Sequence, residues 1–204
     1  GRHIRQGRPS RGGRRRVTAD FPAVLDACVL VQAPLRDTLL RLAEPPRLYI
    51  PQWSDEIIAE TVRTLENRIG LSAHKTAYLV GQLREHFGDA WVPGYEPLVE
   101  QMTNDPKDRH VLATAVKSGA TVIVTYNKRH FPPAATEPWG IEIQGPSTFL
   151  KYQYDLNPSV VVDKLHAQAR NLGRTLAEQL AVLRPAAPMF VDAICVDLGV
   201  NLSL

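Results

Sequence analysis

Along residues 22–31, PAVLDACVLV, apolar positions run almost unbroken, with one acid, Asp26, set among them. A short run of this kind predicts a buried strand of a parallel sheet. From residue 35 the spacing changes: Leu35, Leu39, Leu40 and Leu42 suit a helix, and Pro45 and Pro46 stop it. LYIP predicts a short strand. The segment from Ser54 to Gly70 predicts a helix, with Ser54 as its cap, acids in the first turn and glycine at its close. AHKTAYLVGQLREHFG predicts another helix, and AWVPGYEP a strand and its exit. DPKDRHVLATAVKSG reads as a helix opened by two aspartates, and the β-branched ATVIVTYN as a strand. IEIQGPSTFLK gives a strand, a turn and a short helix. NPSVVVDKLHAQARNLGRTLAEQLAVL opens a helix on Asn157 and Pro158; RPAAP breaks it, and MFVDAICVDLGV predicts a last helix.

Strands alternating with helices predict an α/β domain with a mostly parallel sheet over residues 20–150. Residues 151–204 form a predicted helical extension that covers an apolar face. The 204 residues suit one domain plus an extension, and 44% apolar content is enough for a core. No apolar run reaches the roughly 18 residues needed to span a bilayer, and no charged-then-apolar leader opens the chain. Cys28 and Cys195 sit in apolar runs and read as buried thiols rather than a disulfide pair, which implies a reducing, cytoplasmic setting.

The net charge of +3 hides an asymmetry. Seven arginines lie within the first sixteen residues with no acid among them. Without them, 17 basic residues face 21 acids, a net −4 over residues 17–204. Residues 1–19 are thus a Gly-rich basic arm, expected to be disordered alone. It is suited either to gripping a phosphate backbone by charge or to keeping the chain soluble.

In open α/β sheets, ligands gather at the carboxyl ends of the strands. Asp26 closes the first strand and Asn127 closes ATVIVTYN, so both belong at that edge. Asp108 shares a helical face with Val111, Leu112 and Ala115, which turns it toward the core. A buried carboxylate needs a counter-charge. No lysine or arginine stands near Asp26 in sequence, and a divalent cation would meet the need. Asp105 and Asp108 have a second reading, as a helix cap and a dipole-favoured first-turn acid. Glu60 falls opposite a buried stripe of Ile58, Val62, Leu65 and Ile69, which makes it a solvated acid by spacing. His110 and His130 lack metal-type spacing and read as surface or supporting residues. Lys128 and Arg129 follow Asn127 and would suit a phosphodiester.

The order Asp26, Glu60, Asp105-x-x-Asp108, then Thr125-x-Asn127 after a strand resembles the PIN-domain ribonucleases. Among these it most resembles the VapC-type toxins with a C-terminal extension. AVLDACVLV, LYIPQWSDEIIAETVRTL, MTNDPKDRHVLATAVKSGA and VIVTYNKRHFP carry the resemblance. It implies a PIN-like parallel sheet flanked by helices, and a metal-dependent endoribonuclease acting on structured RNA such as tRNA or rRNA. It also implies a cognate antitoxin partner, a possible homodimer and no membrane. Asp26, Glu60, Asp105, Asp108 and Asn127 would be catalytic, with the four acids holding Mg²⁺ or Mn²⁺. His130 stands where the family usually has an aspartate before Phe-Pro, which opens an alternative: a catalytically weak or inactive PIN-like module that binds RNA or protein. A phosphotransferase using Asp26 as nucleophile would want a second acid two residues on, where this chain has Cys28.

Overall fold

The computed structural model describes residues 21–202. The predicted basic arm, residues 1–19, lies outside them. Four strands, β1 (Pro22–Leu25), β2 (Ile50–Gln52), β3 (Val122–Val124) and β4 (Glu142–Gln144), form one fully parallel sheet in the order β2-β1-β3-β4. Val24 pairs with Gln52 on one side and with Ile123 on the other, and Ile123 pairs with Ile143. β1 and β3 are central, so Ala23, Val24, Leu25, Ile123 and Val124 are sealed from solvent. That explains their unalternating apolar composition.

The run PAVLDACVLV divides. The strand stops at Leu25, and a one-turn helix, α1 (Ala27–Leu30), begins at once. Asp26 keeps extended geometry while its carbonyl accepts from the amides of Val29 (3.0 Å) and Leu30 (3.3 Å). A short apolar run does not tell a buried strand from a buried helix, so periodicity missed the switch.

The helices α2 (Ala33–Ala43), α3 (Asp55–Asn67) and α4 (Ala73–His86) follow as expected, with Ser54 Oγ capping α3 at the amide of Ile57. AWVPGYEP, predicted as a strand, is not one. Trp91 makes an isolated parallel bridge to Trp53, and the chain then turns into α5 (Glu96–Val99). The next helix, α6 (Arg109–Ser118), buries Val111, Leu112, Ala113 and Ala115 beneath the sheet, after a tight 3₁₀ turn at Pro106–Asp108. Gly119 ends it in the left-handed region at φ 67°, which glycine adopts without a Cβ clash. A short α7 (Pro133–Thr136) leads into β4.

After β4 the chain is helical: α8 (Pro146–Leu156), α9 (Pro158–Asn171), α10 (Leu176–Leu183) and α11 (Pro188–Leu198). The single long helix expected after Asn157 is two, because Gly173 (φ 65°) breaks it and Thr175 starts another. Thr175 and Glu178 form a reciprocal capping box, whose T-x-x-E spacing is visible in the sequence. The extension docks through polar contacts as well as apolar ones. Gln168, buried on α9, donates to Asp37 Oδ2 (2.7 Å) and accepts from Thr38 Oγ1 (3.0 Å). Lys164 Nζ donates to the carbonyls of Arg41 (2.6 Å) and Glu44 (2.9 Å) at the end of α2. Cys28 and Cys195 are free thiols, but both are half-buried rather than buried. Among the described residues, no helix is long and apolar enough to cross a membrane.

Candidate active site

Because every strand runs the same way, all four carboxyl ends share one edge. Asp26 leaves β1 there and Thr125 leaves β3. Asp26 is 3% exposed, and its Oδ2 accepts from Thr125 Oγ1 (2.6 Å) and Cys28 Sγ (3.2 Å). Thr125 Oγ1 in turn accepts from the amide of Asn127 (2.9 Å), and Cys28 Sγ accepts from the amide of Tyr126 (3.3 Å). Burial pushes the Asp26 carboxyl above its usual range. The bonds from Thr125, Cys28 and the Ala27 amide oppose that shift, and the charge of Asp108 adds to it. Burial and the Asp26 charge push the Cys28 thiol up to about 12, so Cys28 is a protonated donor and not a nucleophile.

Asp108 closes the 3₁₀ turn before α6, and its Oδ2 lies 2.5 Å from His130 Nδ1. Arg129 Nε donates to His130 Nε2 (3.3 Å), which assigns the ring proton to Nδ1, facing Asp108. Asp105 does other work. Its Oδ1 accepts from the Lys107 amide (3.0 Å), its carbonyl from the Asp108 amide (2.9 Å), and its own amide donates to the His130 carbonyl (3.0 Å). Asp105 thereby shapes the turn that carries Asp108.

Asp26, Glu60, Asp108 and Asn127 line one open cleft of about 450 Å³, together with Cys28, Arg63 and Arg68; Asp105 lies outside this lining. Glu60 reaches the cleft because the buried face of α3 differs from the stripe expected. The buried residues are Ile57, Ile58, Thr61 and Leu65, while Ile69 lies beyond the helix end and is 58% exposed. Thr61 joins the core because its hydroxyl donates to the Ile57 carbonyl (2.9 Å). The face turns by roughly 50° at about 100° per residue, which brings Glu60 from the far side to the flank.

There Glu60 Oε2 lies 3.5 Å from His110 Nε2 and Oε1 lies 3.8 Å from Arg63 Nη2. The first distance is at the long limit for a hydrogen bond, and Glu60 Oε2 is the acceptor that His110 Nε2 faces. Burial works against protonating His110, but the contact with Glu60 and the charges of Glu60, Glu56 and Asp26 outweigh it and raise its pKa.

Among the described residues, no group of three or more His, Cys, Asp or Glu side chains stands ready-made around a metal position. The acid pair nevertheless fits one hard divalent ion. Asp26 and Asp108 repel each other, and among the described residues neither pairs with a lysine or arginine. Thr125 stands in the Thr125-x-Asn127 motif and His110 is open to a supporting place, whereas Arg63 and Arg68 have no place in the sequence reading. Arg63 lies three residues after Glu60, a spacing that does signal a shared helix face.

A family model described as a PIN domain matches residues 22–129. A Mycobacterium tuberculosis protein named "Putative ribonuclease VapC50" is 49% identical over 67 residues, which cover 33% of this chain and 40% of that protein. The matched region is thus less than half of the relative's length.

Proposed function

Since the chain belongs to the PIN domain family, we propose that it is a metal-dependent endoribonuclease toxin that cleaves structured RNA, such as tRNA or rRNA, and is neutralised by a cognate antitoxin. The observation that carries this reading is the buried Asp26, which shares a cleft with Asp108 at the carboxyl edge of a parallel sheet and, among the described residues, has no lysine or arginine paired with it. The name of the related ribonuclease supports RNA as the substrate class. On this reading residues 20–150 are the nuclease unit and residues 151–204 its extension, with helices between Pro146 and Leu198.

Asp26 and Asp108 are the residues suited to hold Mg²⁺ or Mn²⁺. When bound, such an ion neutralises a phosphate oxygen and acidifies water at neutral pH. Thr125 and Cys28 hold Oδ2 of the Asp26 carboxylate, which lines the cleft. Glu60, which lines the same cleft, orients water or assists in holding the ion. Arg63 and Arg68 bind the substrate's phosphates on the α3 side. Asn127 offers an amide to the RNA or to water. Asp105 contributes through the turn it caps.

The test is cleavage of total RNA by the purified chain in Mn²⁺, in Mg²⁺ and in EDTA, with Asp26→Asn and Asp108→Asn alongside. Metal-dependent cutting lost in both variants supports the proposal; cutting that persists in EDTA or in either variant removes it. One observation favours a second reading, a PIN-like module that binds RNA without turnover: His130 already engages Asp108 Oδ2. Retention of RNA with no metal-dependent cutting would select it.

A further inference from the structure

Glu60 is an acid that α3 alone would leave in water, yet it is held against the cleft. The side chain it faces across the helix boundary is His110. His110 follows Asp108 by two residues, and positions two apart on a helix point to nearly opposite sides. The segment therefore directs Asp108 at His130 and His110 at α3. The imidazole is enclosed, with its side chain 11% exposed. Its Nε2 is shut off from water and has no hydrogen-bond partner by strict geometry. A buried nitrogen of this kind needs an acceptor, and the one it faces is Glu60 Oε2. Glu60 then reaches Arg63 with its other oxygen, so His110, Glu60 and Arg63 form a chain from α6 to the basic wall of the cleft.

We propose that His110 is a positioning residue: through its Nε2 it fixes the Glu60 carboxylate in the cleft and ties α3 to the start of α6. This rests on the nuclease reading for its functional consequence, but not for the contact itself. Residues that orient an acid at a metal site matter nearly as much as the acid. A ring that only fills space would be replaced well by any side chain of similar volume, whereas a positioning donor would not.

Three measurements on the full chain decide it. In long-range proton–nitrogen spectra of the metal-free protein, Glu60→Gln should move the His110 Nε2 signal while the melting curve stays cooperative. In Mn²⁺ titrations followed by electron paramagnetic resonance, His110→Leu should weaken binding by about tenfold, within the usual range for orienting groups. His110→Gln keeps an N–H donor and should recover most of that loss, in Mn²⁺ affinity and in RNA cleavage. The double variant Glu60→Ala/His110→Leu should be no worse than Glu60→Ala, because both act through one carboxylate. The proposal is overturned if the His110 signal ignores Glu60→Gln, if His110→Gln binds Mn²⁺ no better than His110→Leu, or if the two losses add. Should His110→Leu fail to fold, the Glu60→Gln spectrum and His110→Gln still decide. A wild-type chain that cuts no RNA while its His110 signal answers to Glu60 would remove the nuclease reading and leave the contact standing.

Discussion

Thr125 donates its hydroxyl proton to Asp26 across 2.6 Å, although 99 residues separate the two. The bond joins the ends of β1 and β3, the two central strands, and it holds the most buried acid of the site. Replacing it should therefore change both stability and chemistry. Thr125→Val keeps the shape and leaves a buried carboxylate short of a donor. The expected cost is about 1.5–3 kcal/mol, the range for a hydrogen bond to a charged group, read from urea unfolding. A variant as stable as the wild type would show that Asp26 does not depend on this hydroxyl.

Asp26 should also leave a mark on the pH dependence of stability in EDTA. Its folded pKa is raised above the unfolded value by burial and by Asp108. Between the two pKa values the folded state binds the extra proton, so stability falls as pH rises through that window. Below it the penalty is absent; above it the penalty is fully present. Asp26→Asn removes the ionisation. Its stability relative to wild type should grow as pH climbs from about 4, the ordinary aspartate value. A difference that stays flat from pH 3 to pH 8 would mean that the carboxylate is not destabilised by burial.

Asp105 and Asp108 should separate cleanly under mutation. Asp105→Ala loses a cap and should cost about 1 kcal/mol in stability, with RNA cleavage reduced far less than by Asp108→Asn. Thermal melting and a cleavage time course, run on both variants, test this. Equal loss of cleavage in the two would put Asp105 back among the ligands.

His130→Asp places a third carboxylate beside Asp108 and Asp26. Without metal, the added repulsion should lower the melting temperature. With metal, a further oxygen ligand should tighten Mn²⁺ binding. The two effects have opposite signs, so melting curves with and without Mn²⁺ should diverge more for the variant than for the wild type. If Mn²⁺ raises both melting temperatures alike, the residue at position 130 has no bearing on the ion.

Much of this protein can be read along the chain. Asp26 at a strand end, the helices opened by Ser54 and by Asp105, the stops at Pro45 and Gly119, and the strand–helix alternation of a parallel sheet all rest on local chemistry: caps, turn residues and runs of apolar side chains. The break at Gly173 is equally local, a glycine at φ 65° two residues before the Thr175 cap. Other features have no local cause. AWVPGYEP has the composition of a strand, but its pairing ends at one isolated bridge, where Trp53 bonds to the carbonyl of Ala90 and the amide of Val92 on either side of Trp91. Glu60 was solvated by its own helical wheel, and it lines the cleft because Thr61 satisfies its hydroxyl within α3 and can join the core while His110 waits on α6. The sequence by itself determined which residues carry charge and where most helices and strands begin. Only the tertiary structure decided which charges meet, because Asp26 with Thr125, Glu60 with His110 and Asp108 with His130 are contacts between segments that no periodicity relates, made when parallel strands bring their ends to one edge.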